Sequence, residues 1–444
     1  MSLITLGQAA AWCGGTIEPK YADVAFLGAN MDSRKVEAGQ LFVALEGVRD
    51  GHDFIPAAME KGAAAVLCKH CEADIPAICV ADPRIALGKI AAAERQRLGM
   101  QVVGVTGSVG KSTTKEMIAA VLQGDYTVSK TPANFNNDLG MPMAILAMPE
   151  DTQIAVLEMG MNHFGEISYL TGIARPDAAV IINVGTMHVE NLGSREGILQ
   201  AKLEILEGLK EHGPVFLCGD NDMLWSVRGK LDRKITYFGW ENEACDVRGA
   251  DVEEQDGIFF RVLAENANFG VQLALEGKHH IADALAAVAV GLHYGVAPER
   301  IAQRLGAFQN MAGRQEIFDQ NGYHIIKDCY NAGPESMAAA LAVLGKRSGR
   351  RIAVLGDMLE LGDHAVAAHR RVGEIAAEQA DLVLAYGPLS CHVAQGAGGK
   401  CRTFQDRDAM AQALKELARP GDTLLFKGSH GMHMELVLEK FLQT

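Results

Sequence analysis

One segment has residue types and spacing that prescribe phosphate chemistry: Val102-Val-Gly-Val-Thr-Gly-Ser-Val-Gly-Lys-Ser-Thr-Thr114. β-Branched Val102, Val103 and Val105 read as a short buried strand, and the residues from Lys111 onward are compatible with a helix. Between them Thr106, Gly107, Ser108, Val109 and Gly110 make a glycine-rich turn. Glycines let backbone N–H groups close around an anion, and the helix start adds the positive end of its dipole. In such a cradle Lys111 reaches the outer phosphates, Ser112 offers its hydroxyl to Mg2+, and Thr113 stands in the first helical turn. The usual spacing has glycine where this chain has Val105, so Gly107 sets a shorter loop. A nucleoside triphosphate is the expected ligand; what its energy drives stays open at this point.

Other chemistry-bearing residues are scattered. Glu158 directly follows the apolar run 154–157, and a carboxylate ending a strand beside a phosphate loop can hold Mg2+ directly or through water. His188 comes just after the run 178–183, as either a second metal or phosphate contact or a structural imidazole. Lys202 falls on the helical stripe of Ile198, Leu199, Ile205, Leu206 and Leu209. A lysine there must snorkel, pair or change chemically. Reaction with CO2 would give a carbamate able to hold Mg2+, and the residues alone do not select among these.

Asn134, Asn136 and Asn137 can shape a turn or bond a peptide or phosphate. Asp32-Ser33-Arg34 and Asp50-Gly51-His52-Asp53 offer a hydroxyl, a guanidinium and an imidazole; Arg34 suits a diphosphate or belongs to a solvated charge run. Asp328 ends a strand where an aspartate can bond a ribose, and Lys427 is placed for a carboxylate or phosphate. Cys68-Lys-His-Cys71 lacks a second ligand pair, so thiols are expected there and no zinc site.

These residues need a frame that brings them together. A chain of 444 residues exceeds one ordinary core, which points to about three domains. Residues 1–98 read as a small mixed domain, with strands at 41–45 and 64–67 and a short helix at 53–61. From 99 to 313 apolar strands (101–105, 154–157, 178–183, 215–218) alternate with amphipathic helices, the pattern of a parallel α/β sheet. A β-rich excursion at 234–277 and an alanine-rich helix at 281–292 follow. Residues 314–444 repeat the alternation, with strands at 323–327, 351–355, 382–385 and 423–426, as a doubly wound domain without a G-x-G-x-x-G loop. Carboxyl ends of parallel strands gather along one edge, so distant residues converge there.

Composition excludes several classes. With 48% hydrophobic and 22% charged residues the chain is packed and globular. No run approaches the roughly 20 apolar residues of a membrane span, and residues 1–11 lack the marks of a signal peptide. Net charge of −14 speaks against nucleic acid. Nine cysteines without a pairing framework suit a reducing cytoplasm.

Taken in order, Asp32-Ser-Arg34, Gly107–Ser112, the Asn134–Asn137 amides, Leu157-Glu-Met-Gly160, His188-Val-Glu-Asn-Leu-Gly193, Ala201-Lys202, Asp328–Ser336 and Val354–Gly362 with His369 resemble the Mur ligase family along the whole chain. The resemblance implies three domains: a UDP-sugar domain, a central ATP-binding domain and a Rossmann-like C-terminal domain. It implies an ATP-dependent, ADP-forming amide ligase that joins D-alanyl-D-alanine to the C-terminal carboxylate of UDP-N-acetylmuramoyl-tripeptide in peptidoglycan precursor synthesis. By position, Ser33, Arg34, Asp50, Gly51 and His52 would hold the uridine diphosphate sugar. Lys111 would contact the β- and γ-phosphates. Ser112 and Glu158 would hold one Mg2+, and His188 with a carbamylated Lys202 a second. His279 and Asp283 would border adenine, Arg314 the phosphates and Asp328 the ribose. Asn134 and Asn137 would border the phosphate and peptide carboxylate, and Asn331 and Lys427 the incoming dipeptide. The family's asparagine is Asp283 here, Gly333 replaces another asparagine, and His430 stands where arginine is common. The resemblance implies a cytoplasmic monomer. A folylpolyglutamate synthase, another Mur ligase, or a phosphate-loop switch remain alternatives; the chain lacks the N-K-x-D guanine reader of regulatory GTPases.

Overall fold

The computed structural model describes residues 3–70, 74–255, 257–311 and 313–443. Its centre is a nine-stranded sheet in which an interior strand, Gln101–Thr106, carries the glycine loop at its carboxyl end. Val102, Val103 and Val105 are fully buried there, which explains the unbroken apolar run: a central parallel strand has helices on both faces. Ile154–Glu158 pairs with it on one side and Val128–Lys130 pairs with Ile154–Glu158 in turn, while Ala178–Ile181, Val215–Cys218 and Ile235–Gly239 follow on the other, all parallel. Strand order reverses at Gln101–Thr106, so a crevice opens beyond its carboxyl end.

The β-rich excursion is no separate unit. Val247–Glu254 pairs parallel with Ile235–Gly239, and Ile258–Ala264 and Ala267–Leu273 extend the same sheet antiparallel. The alanine-rich helix runs His279–His293 and packs on the helix Lys111–Leu122. Close approach depends on Gly291, where a Cβ would stand 2.5 Å from Val121 Cγ1.

The C-terminal sheet has six strands in the order Glu316–Gln320, Tyr323–Asp328, Thr423–Lys427, Arg351–Gly356, Leu382–Tyr386 and Cys401–Phe404. All pair parallel except the first, and separate apolar clusters cover its two faces. A four-stranded parallel sheet (Ala29–Asn30, Leu41–Val43, Ala65–Cys68, Ala77–Cys79) forms the N-terminal part.

Differences from the sequence reading are local. The expected helix at 53–61 is a 3-10 turn, Gly51–Phe54, leading into Ile55–Glu60, because Asp50 caps the turn through the His52 N–H. The strand expected to reach residue 183 ends at Ile181, since Asn183 turns away to bond the glycine loop. Edge strands Val128–Lys130, Glu316–Gln320 and Cys401–Phe404 were not expected; they are short and largely polar, so they lack an apolar signature. Cys71 lies outside the described residues. No helix among the described residues is long and apolar enough to cross a membrane.

Candidate active site

Gly110 begins the site. It takes φ +81 immediately before the helix Lys111–Leu122, and a Cβ there would meet Asp283 Oδ1 at 2.6 Å. The loop amides of Ser108 and Val109 both donate to Asn183 Oδ1, at 2.9 and 3.0 Å. Asn183 therefore shapes the loop from the neighbouring strand. Lys111 Nζ donates back to the carbonyls of Gly107 (2.9 Å) and Ser108 (3.0 Å). Thr106 is structural in its contacts: its hydroxyl donates to Met159 O within the core.

Glu158 is the most constrained carboxylate at the sheet edge. Ser112 donates its hydroxyl to Oε2 at 2.6 Å, Asn136 donates to Oε1 at 2.8 Å, and the Lys115 ammonium lies 3.8 Å from Oε2. Ser112 and Glu158 thus make a buried pair of hard oxygen donors, the kind that Mg2+ shares with substrate phosphates. Among the described residues no group of three or more His, Cys, Asp or Glu side chains converges as a metal centre. A metal here would depend on oxygens from a nucleotide.

His188 opens the helix Val189–Leu192 in the left-handed region, φ +64. Its Nδ1 lies 2.8 Å from Glu360 Oε2 on the C-terminal domain, without hydrogen-bond alignment. Lys202, on the helix Arg195–Leu203, is 2% exposed and makes no ion pair among the described residues. Burial, reinforced by the nearby Lys111 charge, pushes its pKa well below the usual lysine value.

The C-terminal domain faces this edge. Arg314 Nη2 donates to Ser112 Oγ at 2.8 Å, and its guanidinium lies over Tyr330. Thr186 donates both its backbone N–H (2.9 Å) and its hydroxyl (3.0 Å) to Glu335 Oε1. Gly185 leaves room for that carboxylate; a Cβ would stand 2.9 Å from Oε1. Lys427, buried, donates to Asp328 Oδ2 at 2.5 Å and Asn331 O at 3.0 Å.

A cavity of about 510 Å3 lies between these walls. Of the residues singled out from sequence, Ser108–Thr113, Asn134, Asn137, Glu158, His188, His279, Asp283, Arg314, Asp328, Asn331 and Lys427 line it. Thr106, Gly107 and Lys202 lie behind the lining. Ser33, Arg34, Asp50, Gly51 and His52 stand apart on the N-terminal part: Arg34 pairs with Asp32, whose carboxyl it holds at about 2, and the His52 ring pairs with Asp50 at 2.6 Å. Asp283 is engaged by Thr114 Oγ1 (2.8 Å) and faces His280. Asn137 Oδ1 accepts from Gly140 N at the start of the next helix, leaving Asn136 to reach Glu158. Asn183, Tyr330, Glu335 and Glu360 went unassigned in sequence. Asn183 alone carried a signal, an amide following a strand at the carboxyl edge.

Comparison with known proteins decides the family. Residues 25–107 match the Mur ligase family catalytic domain, 105–291 the Mur ligase middle domain, and 313–430 the Mur ligase glutamate ligase domain. A UDP-N-acetylmuramoyl-tripeptide–D-alanyl-D-alanine ligase of Bacillus subtilis is 41% identical over 456 residues, covering 99% of this chain and 98% of its own. The chain belongs to the Mur ligase family. A relative of the same name from Escherichia coli is 37% identical, with 99% and 98% covered. MurF from Acinetobacter baumannii has the same fold throughout, at TM-score 0.92 and 32% identity with both chains fully covered. MurF of Thermotoga maritima, solved in complex with ADP, gives TM-score 0.83 and 31% identity over 94% of this Mur ligase and 97% of that chain.

Proposed function

We propose that this Mur ligase uses ATP to join D-alanyl-D-alanine to UDP-N-acetylmuramoyl-tripeptide, in cytoplasmic peptidoglycan precursor synthesis, as a monomer. The carrying observation is the cavity: a phosphate loop, the Ser112–Glu158 pair and the C-terminal Arg314 meet in one space. Near-full-length relatives bearing that name support the choice of substrates.

The reaction activates a carboxylate. The γ-phosphoryl passes to the tripeptide's C-terminal carboxylate, giving an acyl phosphate and ADP. The unprotonated amine of the dipeptide attacks the acyl carbon, the tetrahedral intermediate expels phosphate, and the nitrogen gives up a proton as the amide forms. Lys111 and Arg314 set positive charge against the transferring phosphoryl oxygens. Ser112 and Glu158 would hold one Mg2+, and His188 with carbamylated Lys202 a second; bound Mg2+ supplies further neutralisation of phosphate charge. Burial pushes the Lys202 pKa well below the usual lysine value, toward the neutral amine that takes up CO2, which supports the carbamate reading. Ser33, Arg34 and the Asp50-Gly51-His52 turn would bind the uridine diphosphate sugar. Asn134 and Asn137 would border the donor carboxylate, His279 and Asp283 the adenine, Asp328 the ribose, and Asn331 and Lys427 the dipeptide.

A phosphate-release assay omitting each reactant in turn tests this. Release should require ATP, the UDP-linked tripeptide and D-alanyl-D-alanine together. Release without the dipeptide, or with free glutamate in its place, would overturn the proposal.

A further inference from the structure

One wall of the cavity is aromatic, and the roles above leave it unused. Tyr330 follows the strand Tyr323–Asp328, is partly buried and lines the cavity. The Arg314 guanidinium carbon sits 3.9 Å from its ring centroid. Among the described residues Arg314 makes no ion pair; its Nη2 donates to Ser112 Oγ across the domain interface. A π face attracts a guanidinium without occupying its five N–H donors, whereas a carboxylate would consume donors and cancel the charge. The donors not engaged by Ser112 stay available for phosphate oxygens. Burial pushes the Tyr330 hydroxyl pKa up, so the ring stays neutral beneath the cation.

We propose that Tyr330 is a positioning residue whose ring holds the Arg314 guanidinium against the Ser112 side of the cavity, aimed at the triphosphate. The inference rests on the ligase reading. It explains how a long, many-rotamer side chain from the C-terminal domain is ordered over the phosphate loop of another domain. Acting through Arg314, Tyr330 bears on the triphosphate, so its loss should fall on ATP and spare the neighbouring dipeptide site at Asn331.

The test is a set of steady-state titrations of the whole enzyme. Tyr330→Leu should raise KM for ATP about tenfold, leave KM for D-alanyl-D-alanine within about twofold, and be matched by Tyr330→Met, which fills space without a π face. Tyr330→Phe should stay within about threefold of the parent, and Tyr330→Leu should add less than about twofold once Arg314→Ala is present. Equal rises in both KM values, full additivity with Arg314→Ala, or a Tyr330→Phe as impaired as Tyr330→Leu would overturn it. If the parent enzyme releases phosphate without the dipeptide, the ligase reading fails instead. Calorimetric titration of the same variants with a non-hydrolysable ATP analogue then decides Tyr330 by the same pattern.

Discussion

Three buried lysines meet the cost of burial in different ways. Lys115 donates to Thr131 O at 2.7 Å and lies 3.3 Å from Glu116 Oε1. Lys427 is bonded by Asp328 and a backbone carbonyl. Lys202 has no such partner among the described residues and is driven toward the neutral amine. Neutrality makes it nucleophilic toward CO2, and the resulting carbamate would be an anion beside the phosphate site. Lys202→Ala should therefore lower turnover by about 100-fold or more, with partial rescue by an added short carboxylate. The parent enzyme supplied with 13C-bicarbonate should show a carbamate carbonyl resonance that the variant lacks. Near-normal turnover of the variant would end the carbamate reading.

At the scale of elements, the glycine loop works because two others fit it closely. Gly110 has both a left-handed backbone and a contact with Asp283 that admits no Cβ. Gly110→Ala should cost about 1–2 kcal/mol in backbone strain alone, displace Asp283 on the helix His279–His293, and weaken ADP binding at least tenfold by calorimetry. An unchanged affinity would mean that the loop tolerates another path.

The strand Arg351–Gly356 leads to a second such device, built on His369. This imidazole is buried; its Nδ1 donates to Ala365 O at 2.7 Å and its Nε2 accepts from the Met358 N–H at 3.0 Å. Accepting at Nε2 requires the neutral ring, and burial holds its pKa below the usual value. The unfolded chain takes up the proton that the folded one refuses, so this stabilisation is full above about pH 6.5 and is lost as pH falls below it. Calorimetric melting should show Tm falling between pH 7 and 5.5, each unit of depression being worth about 1.4 kcal/mol. His369→Gln should flatten that slope; a slope equal to the parent's would assign the acid sensitivity elsewhere.

Across the whole molecule, polar and charged contacts join the central and C-terminal domains: Arg314 on Ser112, Glu335 on Thr186 and Glu360 beside His188 at the cavity, with the ion pairs Lys346–Glu254 and Arg347–Glu276 and the Gln315 side chain on Glu276 O beyond it. ATP and the UDP-linked tripeptide both carry negative charge, so holding them together needs a closed cavity as much as local cations. A doubly bonded carboxylate of this kind is worth about 1.5–3 kcal/mol, enough to shift an open–closed equilibrium tenfold or more. Glu335→Ala should therefore enlarge the radius of gyration of the free enzyme, and nucleotide should restore compactness. Identical scattering from parent and variant, with and without ADP, would show that closure does not depend on this clasp.

Periodicity and residue type in the sequence were enough for the parallel strands read at 101–105, 154–157 and 351–355, the glycine loop and the anomaly of Lys202. Buried strands and phosphate turns have strong local signatures, because a strand flanked by helices must be apolar and a tight loop must be glycine-rich. Partnerships had no such signature. That Asn183 fills the loop amides, that Asn136 reaches Glu158, that Glu335 takes the Thr186 donors and that Arg314 reaches Ser112 depends on residues 22 to 202 positions apart along the chain. Sequence alone determined the phosphate loop and the alternating frame, because local sterics and burial specify them. Tertiary structure decided which carboxylate, amide and ring stand beside that loop, because contacts across a sheet edge and a domain interface leave no periodic trace in the chain.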